Sequence, residues 1–186
     1  MKRFTLHGTG AMTPTNKAVF LDRDGTVVVD KGYLNNVEGI ELMPQVTEAL
    51  PAMKGMGYLL VLVTNQSGIG RGYLSENVVT EQHDRLQALL RPHGAEFDLI
   101  MFCPHKPGDG CRCRKPRPGM LEAAAAAMQI GCNASVMIGD KATDMSAGKA
   151  VGCRTILLGD GEAGDADFTA GDLTGAINVI RRHVYY

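Results

Sequence analysis

An apolar run near the start of the sequence ends in two carboxylates. Residues 18–21 have the apolar character of a short buried strand, and Asp22 and Asp24 follow it directly. Two acids at positions i and i+2 repel each other unless a cation lies between them. Mg²⁺ favours one or two carboxylates together with substrate phosphate oxygens. The stretch therefore indicates a magnesium site that binds a phosphate, although a solvated acidic turn explains these residues equally well.

Polar residues also follow later apolar runs. Residues 64–68 (TNQSG) offer hydroxyl, amide and backbone N–H groups to phosphate oxygens, but an ordinary turn and helix cap fits them too. Asp140, with Asp144 four residues further on, could complete a Mg²⁺ shell, could cap the helix that follows, or could do both. Lys115 is a candidate cation for a transferring phosphoryl group, and a solvated surface lysine is the alternative.

A short segment after the third apolar run contains three cysteines and one histidine. Their spacing is C-x-H-x5-C-x-C, and the four residues are Cys103, His105, Cys111 and Cys113. Three thiols and one imidazole complete the tetrahedral shell of a structural Zn²⁺ ion. Reduced free thiols, or a disulfide between two of the three, are the alternatives. Because Arg114 and Lys115 follow directly, we predict that the zinc positions these two cations.

Strands and helices alternate along the chain. Continuous apolar runs predict strands buried on both faces at residues 18–21, 59–63, 99–102, 136–138 and 155–158. Helical patterns separate them at residues 44–55, 75–91, 118–130 and 141–151. Pro51 is expected to kink or split the first helix. The alternation predicts a doubly wound, Rossmann-like parallel α/β sheet, in which ligands bind beyond the carboxyl ends of the strands. The residues at these ends are Asp22, Thr64, Cys103 and Asp140.

Length and charge narrow the possible classes of protein. The chain has 186 residues, and we expect one domain over residues 16–186 after a flexible leader over residues 1–15. A net charge of −1 and an aromatic share of 5% argue against nucleic acid or an anionic membrane as a partner. Because five clustered cysteines suit a reducing compartment, we expect a cytoplasmic protein, and we expect a monomer.

The stretches DRDGT, TNQSG, RKP and GDKATD resemble, in order and spacing, the motifs of the haloacid dehalogenase (HAD) superfamily of phosphatases. The resemblance covers residues 17–183 and implies a covalent mechanism. In it Asp22 attacks phosphorus and forms an aspartyl-phosphate. Asp24 protonates the leaving oxygen and then deprotonates the attacking water. Thr64 and Lys115 would hold the phosphoryl oxygens.

The same resemblance implies a magnesium shell. Mg²⁺ would be bound by the side chains of Asp22 and Asp140 and by the backbone carbonyl of Asp24. Asp144 would lie outside that shell. Thr26 would tie down the loop rather than take part in the chemistry.

The spacing of the motifs leaves no room for a cap domain, which many of these phosphatases carry. Only 33 residues separate Asp24 from Tyr58, and 11 separate Cys103 from Lys115. The active site should therefore be open, with specificity set by short loops. This pattern resembles the zinc-containing capless branch, which includes heptose bisphosphate phosphatases and histidinol phosphate phosphatases.

Local stretches resemble both groups of that branch. VDKGY at 29–33, NQSGIGRG at 65–72 and KPRPGML at 115–121 are similar to the heptose enzymes. The five residues between His105 and Cys111 are as few as in the histidinol enzymes. The substrate-binding residues that the resemblance implies are Arg23, Asp30, Lys31, Gly32, Tyr33, Asn65, Gln66, Ser67, Arg114 and Lys141.

The charges near the site favour a sugar bisphosphate as the substrate. A second phosphate needs a cation away from the metal, and Arg114 is a natural bidentate partner for it. Lys31, Lys141 or Arg71 would assist. An amino alcohol would instead prefer carboxylates. We therefore expect hydrolysis of the 7-phosphate of a heptose bisphosphate, on the route to nucleotide-activated heptose. A histidinol-phosphate phosphatase and a zinc-stabilised, non-catalytic binding module are the alternatives.

Overall fold

The computed structural model describes residues 14–159 and 164–184. Along the chain its elements are β1 (Lys17–Leu21), α1 (Val46–Gly55), β2 (Tyr58–Asn65), α2 (Ser67–Gly70), α3 (Glu76–Leu90), β3 (Leu99–Cys103), α4 (Gly119–Met128), β4 (Val136–Gly139), α5 (Ala142–Ala150), β5 (Arg154–Leu158), β6 (Phe168–Ala170) and α6 (Leu173–His183). Single turns of 3-10 helix occupy Arg91–His93 and Cys132–Ala134.

The strands form one parallel sheet in the order β3-β2-β1-β4-β5-β6. The chain first builds outward from β1 through β2 to β3, and then returns to add β4 on the other side of β1. In such sheets ligands bind where the order reverses, at the carboxyl ends of the central strands. The predicted doubly wound parallel sheet is confirmed, and its switch point lies at the end of β1, next to Asp22.

Helices cover both faces of the sheet, which explains why the strands are apolar throughout. Val19 and Leu21 of β1 pack in one cluster with buried residues of α1, α3 and α6. Ala18 and Phe20 of the same strand point the other way and pack with buried residues of α4 and α5. Strands buried on both faces read as continuous apolar runs rather than as an alternation.

The last strand and helix were not predicted from the sequence. α6 buries Leu173, Ala176, Ile177 and Ile180, which recur at the spacing of one helical face. The Asp172 carboxylate caps this helix by accepting a hydrogen bond of 2.8 Å from the Gly175 N–H. Both signals of the helix are present in the sequence, whereas a strand of three residues is too short to give a clear pattern.

Two local expectations have definite outcomes. α1 runs unbroken through Pro51, because burial of Val46, Leu50 and Met53 against the sheet stabilises the helix across the proline. Residues 1–13 of the predicted leader lie outside the described residues, and the Thr15 N–H donates to the Gln129 carbonyl at 3.1 Å.

No helix in the described part of the chain is long and apolar enough to cross a membrane.

Candidate active site

Asp22 lies directly after the central strand β1. Its backbone N–H donates to the Ile138 carbonyl of β4 at 3.1 Å, so the strand pairing extends to this residue. The Arg23 N–H donates to Asp22 Oδ1 at 2.7 Å, and Asp22 is only 5% exposed. These contacts fix the carboxylate at the edge of the sheet where the strand order reverses.

Lys115 is buried beside Asp22, at 2% exposure. Its Nζ lies 2.9 Å from Asp22 Oδ1 and 2.6 Å from Asp144 Oδ1, and it donates to the Val63 carbonyl at 2.7 Å. Burial alone would lower the pKa of Lys115, but the charges of Asp22 and Asp144 outweigh it and raise that pKa. Lys115 is therefore a fixed positive charge, and the alternative of a surface lysine is wrong.

Three carboxylates gather at the same edge. Oxygens of Asp22, Asp140 and Asp144 lie within 4.8 Å of one another. Burial, and after it the charge of Asp22, raises the pKa of Asp144 to about 6. Burial also raises the pKa of Asp140, whose Oδ1 is buried without a hydrogen-bond partner among the described residues. A divalent cation would relieve this repulsion and bind the unpartnered oxygen, so the donor set fits Mg²⁺.

The loop after Asp24 allows Asp140 to approach. Gly25 has a φ of +83°, in the left-handed region that glycine adopts without strain. A Cβ atom at this position would overlap the Asp140 carboxylate. Glycine at position 25 is therefore required both for the turn and for the closeness of the two acidic segments.

Two neighbouring side chains fix the orientation of Asp24. Arg23 Nε lies 3.1 Å from both carboxylate oxygens of Asp24, and one of its terminal nitrogens lies 3.0 Å from Oδ1. Gln66 Nε2 donates to Asp24 Oδ2 and to Thr64 Oγ1, each at 2.9 Å. Arg23 is 1% exposed, so its placement differs from the predicted contact with substrate: its guanidinium pairs with the adjacent carboxylate instead.

A cavity of about 290 Å³ opens onto these groups. Its lining consists of Asp22, Asp24, Thr64, Asn65, Arg114, Lys115, Lys141, Thr143 and Asp144. Asn65 and the backbone of Lys115 exchange two hydrogen bonds of 3.1 Å, which hold this wall together. The cavity thus collects the four predicted catalytic residues and also Thr143, for which no motif indicated a role.

The predicted zinc loop follows β3. One donor atom from each of Cys103, His105, Cys111 and Cys113 lies within 4.8 Å of the other three. The Cys103 sulfur is 3.7 Å from that of Cys111 and 3.2 Å from that of Cys113. Sulfurs at a tetrahedral Zn²⁺, with Zn–S bonds of about 2.3 Å, lie about 3.8 Å apart. The four donors fit zinc, and the three cysteines are free of disulfides.

Arg114 connects this loop to the cavity. Its Nη1 donates to the His105 carbonyl at 3.1 Å. A second cavity, of about 370 Å³, is lined by the loop and by residues 114–117. The two cavities share Arg114 and Lys115. The loop therefore contacts an arginine that borders both cavities.

The predicted substrate loop lies at the rim of the first cavity. Lys141 Nζ is 3.4 Å from Asp30 Oδ2, and Asp30 Oδ1 accepts a hydrogen bond of 2.9 Å from the Gly32 N–H. Lys31 instead pairs with Glu41 at 2.8 Å, because that carboxylate lies on the adjoining segment. The contact of Lys31 with substrate therefore stays a prediction.

A tyrosine of this loop contacts a second tyrosine at the surface. The rings of Tyr33 and Tyr73 are in T-shaped contact with centroids 4.9 Å apart, and both residues are about half exposed. The Arg71 guanidinium lies 6.0 Å from the Tyr33 ring. Ser67 opens the single turn α2 beneath them. These residues surround the site without lining the first cavity.

Known proteins resemble this chain over most of its length. The family model described as HAD-hydrolase-like matches residues 112–180. A D-glycero-beta-D-manno-heptose-1,7-bisphosphate 7-phosphatase from Pasteurella multocida is 45% identical over 148 residues, which cover 76% of this chain and 80% of the relative. This chain belongs to the HAD-like hydrolase family. A relative of the same name from Haemophilus influenzae is 38% identical over 181 residues, 90% of this chain and 98% of the relative.

Solved structures share the HAD-like hydrolase fold. D,D-heptose 1,7-bisphosphate phosphatase from B. bronchiseptica, complexed with magnesium and phosphate, has a TM-score of 0.80 at 29% identity, covering 89% of this chain and 98% of that one. A HAD-like phosphatase from Mesorhizobium loti has a TM-score of 0.78 at 36% identity, covering 90% and 88%. The chain is accordingly a phosphoric monoester hydrolase.

One local prediction about this HAD-like hydrolase is wrong. The N-cap of α5 is Lys141 and not Asp140. The Asp144 carboxylate closes the start of the helix by accepting a hydrogen bond of 3.1 Å from the Lys141 N–H. Asp140 is left out of the cap because its carboxylate lies in the cluster with Asp22. The signal was an acid three residues into the helix, which is a typical capping partner.

Proposed function

We propose that this phosphatase removes the 7-phosphate of D-glycero-D-manno-heptose 1,7-bisphosphate, on the route to nucleotide-activated heptose. The observation that supports it is the pair of adjoining cavities that share Arg114, the first of which contains Asp22 and Lys115. One phosphate would lie against Asp22, and the other would meet the Arg114 guanidinium. The names of the relatives describe the same reaction and specify the beta anomer.

Asp22 is the nucleophile in this proposal. A bond forms between its carboxylate oxygen and phosphorus while the bond from phosphorus to the sugar oxygen breaks, and Asp24 gives its proton to that oxygen. Asp24 then accepts a proton from the water that hydrolyses the aspartyl-phosphate, which restores both carboxyl groups. Thr64 and Lys115 hold the phosphoryl oxygens, over which the transition state spreads its charge.

Asp22, Asp140 and the backbone carbonyl of Asp24 would hold the Mg²⁺ ion. Bound there, the ion supplies positive charge to the phosphoryl oxygens. Asp144 has a different task, because its contact of 2.6 Å with the Lys115 Nζ aims that ammonium group towards Asp22. The three carboxylates would therefore have two tasks, because Asp22 and Asp140 would bind the metal and Asp144 orients Lys115.

Cys103, His105, Cys111 and Cys113 would hold a structural Zn²⁺ ion. Four protein donors leave no coordination position for solvent, which is the pattern of a structural rather than a catalytic zinc. The loop would then keep its shape without an apolar core of its own. Through the His105 carbonyl it would also fix Arg114.

Cys111→Ser should lower both the zinc content and the stability of the protein. A hydroxyl is a poor substitute for a thiolate, and the binding free energy of a structural metal contributes to folding. We expect less than one zinc per chain by elemental analysis and a loss of about 2 kcal/mol or more in the free energy of unfolding. Cys132→Ser, outside the cluster, should keep the zinc. Wild-type protein that purifies without zinc would contradict the proposal.

Side-by-side kinetics on both anomers of heptose bisphosphate and on histidinol phosphate test the substrate. Arg114→Ala should lower kcat/KM for the bisphosphate about 10- to 100-fold, because a hydrogen bond to a charged group contributes about 1.5–3 kcal/mol. The same variant should act almost normally on 4-nitrophenyl phosphate, which has no second phosphate. Arg112→Ala, in a neighbouring exposed arginine, is the matched control. A preference for histidinol phosphate would reject the heptose substrate, and no phosphate release from any ester would favour the binding module.

We also propose one catalytic domain over residues 16–186 that acts as a cytoplasmic monomer. The near-neutral net charge supports the expectation that neither nucleic acid nor a membrane is a partner. Size-exclusion chromatography coupled to light scattering measures the oligomeric state directly, and a mass of about 20 kDa is expected from the chain mass of 19.9 kDa.

A further inference from the structure

A buried glutamine lies on α3, outside the cavity. Gln82 is 0% exposed and stands in a row of fully buried apolar residues that includes Val79, Leu86 and Leu90. An apolar residue would satisfy the packing of this helix face equally well. Burying an amide is costly unless all its polar atoms find partners. The partners of Gln82 therefore indicate what the residue does.

Those partners belong to two different parts of the site. Gln82 Oε1 accepts a hydrogen bond of 3.0 Å from Arg23 Nη1. Gln82 Nε2 donates to the Leu34 carbonyl at 2.8 Å and to the Asn36 carbonyl at 3.2 Å. One amide thus joins the arginine beside Asp24 to the loop that carries the predicted substrate residues.

The contact with Arg23 bears on the orientation of Asp24. The Arg23 guanidinium has one edge on the Asp24 carboxylate and another nitrogen on Gln82. Burial, and after it the charge of Arg23, lowers the pKa of the neighbouring His83 to about 3, so its ring is neutral and adds no second cation beside this guanidinium. Without Gln82 the guanidinium would keep its charge pair but lose the contact that fixes its rotation.

The second contact bears on the rim of the cavity. Leu34 and Asn36 lie within three residues of Tyr33 in the same loop, and Asp30 of this loop pairs with Lys141 of the cavity lining. The loop has no strand or helix of its own between Val29 and Ile40. Its attachment to α3 through Gln82 therefore limits where the predicted substrate residues can lie.

We propose that Gln82 is a positioning residue that holds Arg23 against Asp24 and attaches the loop of residues 30–36 to α3. This inference rests on the proposed function of Asp24 as the acid that protonates the leaving oxygen. It assigns a role in the reaction to a side chain that does not touch the substrate.

Gln82→Met tests the role, because methionine has nearly the same length and no strong hydrogen-bonding group. A poorly placed acid matters most for a leaving group that needs a proton. We expect kcat/KM to fall about 10- to 100-fold for phenyl phosphate and less than about threefold for 4-nitrophenyl phosphate, since small misplacement of a catalytic group has effects of this size. The ratio of kcat/KM between these two esters reports on the step that releases the alcohol. It can be measured without a sugar substrate.

Gln82→Glu separates the two contacts. A glutamate still accepts from Arg23 but cannot donate to the carbonyls of Leu34 and Asn36 unless it is protonated. We expect it to restore most of the activity on phenyl phosphate while raising KM for heptose bisphosphate, because the loop is no longer attached. This rescue keeps the proposal testable if the methionine variant folds poorly.

Gln87→Met is the matched control on the same helix. Its amide is also bonded to backbone, to the N–H and the carbonyl of Phe97, at 2.9 and 3.0 Å, on the far side from the cavity. It should lower the melting temperature as the Gln82 variant does, without changing the ratio between the two aryl phosphates. Equal losses on both esters in Gln82→Met, or none, would overturn the inference. Wild-type activity on aryl phosphates without activity on heptose bisphosphate would instead reject only the proposed substrate.

Discussion

Asp22→Asn should abolish phosphate release while the protein still folds. An amide oxygen is a poor nucleophile. The substitution also removes the negative charge that forms an ion pair with Lys115. Removal of a nucleophile reduces turnover by about 10⁴-fold or more. The expected measurements are a steady-state rate at background level and no phosphorylated protein in the mass spectrum after mixing with substrate and rapid acid quenching.

The fold should tolerate this change. Lys115 keeps its contact with Asp144, and the repulsion among three crowded carboxylates becomes weaker. We expect the free energy of unfolding to change by less than about 1 kcal/mol. Asp98→Asn is a matched substitution far from the cavity, at an acid that pairs with Lys54 at 2.9 Å, and it should leave turnover unchanged. Turnover that survives in Asp22→Asn would remove this residue as the nucleophile.

Five of the six strands, and the edge of the sheet to which they bring the predicted site residues, follow from the sequence alone. Continuous apolar runs identify strands that helices cover on both faces, and β1 has that arrangement. A parallel sheet then brings its carboxyl ends together, so that Asp22, Thr64 and Asp140 had to approach one another. No detailed contact is needed for that conclusion, because it follows from the direction of the strands alone.

The direction in which each side chain points could not be predicted in the same way. Arg23 is next to two carboxylates in sequence, and only the folded loop shows that its guanidinium turns to Asp24 and to Gln82. The Lys31 side chain could have pointed to the cavity or to the adjoining segment, and in the structure it pairs with Glu41 of that segment. The direction of a charged side chain depends on which opposite charge is nearest in the folded protein, and the spacing of residues along the chain does not determine that distance.

The position of Lys115 could be predicted from the sequence in part, and its contacts could not. The motif suggested a lysine near phosphate, but its three contacts come from the ends of β1 and β2 and from α5. One ammonium group is shared by Asp22 and Asp144, which lie 93 and 29 positions from Lys115 in the sequence. The charge of these two buried carboxylates is therefore balanced by the same lysine, and its removal should have the second large effect.

Lys115→Met should lose both activity and stability. Without the ammonium group the phosphoryl oxygens lose one fixed positive charge, and we expect kcat to fall about 10²- to 10³-fold. Asp22 and Asp144 would also remain buried without their cation, which destabilises a protein by about 3–5 kcal/mol. Chemical denaturation with and without Mg²⁺ measures this loss, and added Mg²⁺ should stabilise the variant more than the wild type because it replaces part of the missing charge.

Lys149→Met separates a buried ion pair from an exposed one. Lys149 lies 3.8 Å from Asp165 and Asp167 near the surface, where ion pairs contribute little, so we expect a change below about 1 kcal/mol and full activity. If Lys115→Met were as stable as this control without Mg²⁺, the carboxylates would not need the lysine. The acid cluster would then have to release its repulsion in another way, by taking up protons, and the view of Lys115 as the fixed charge at the centre of the site would be wrong.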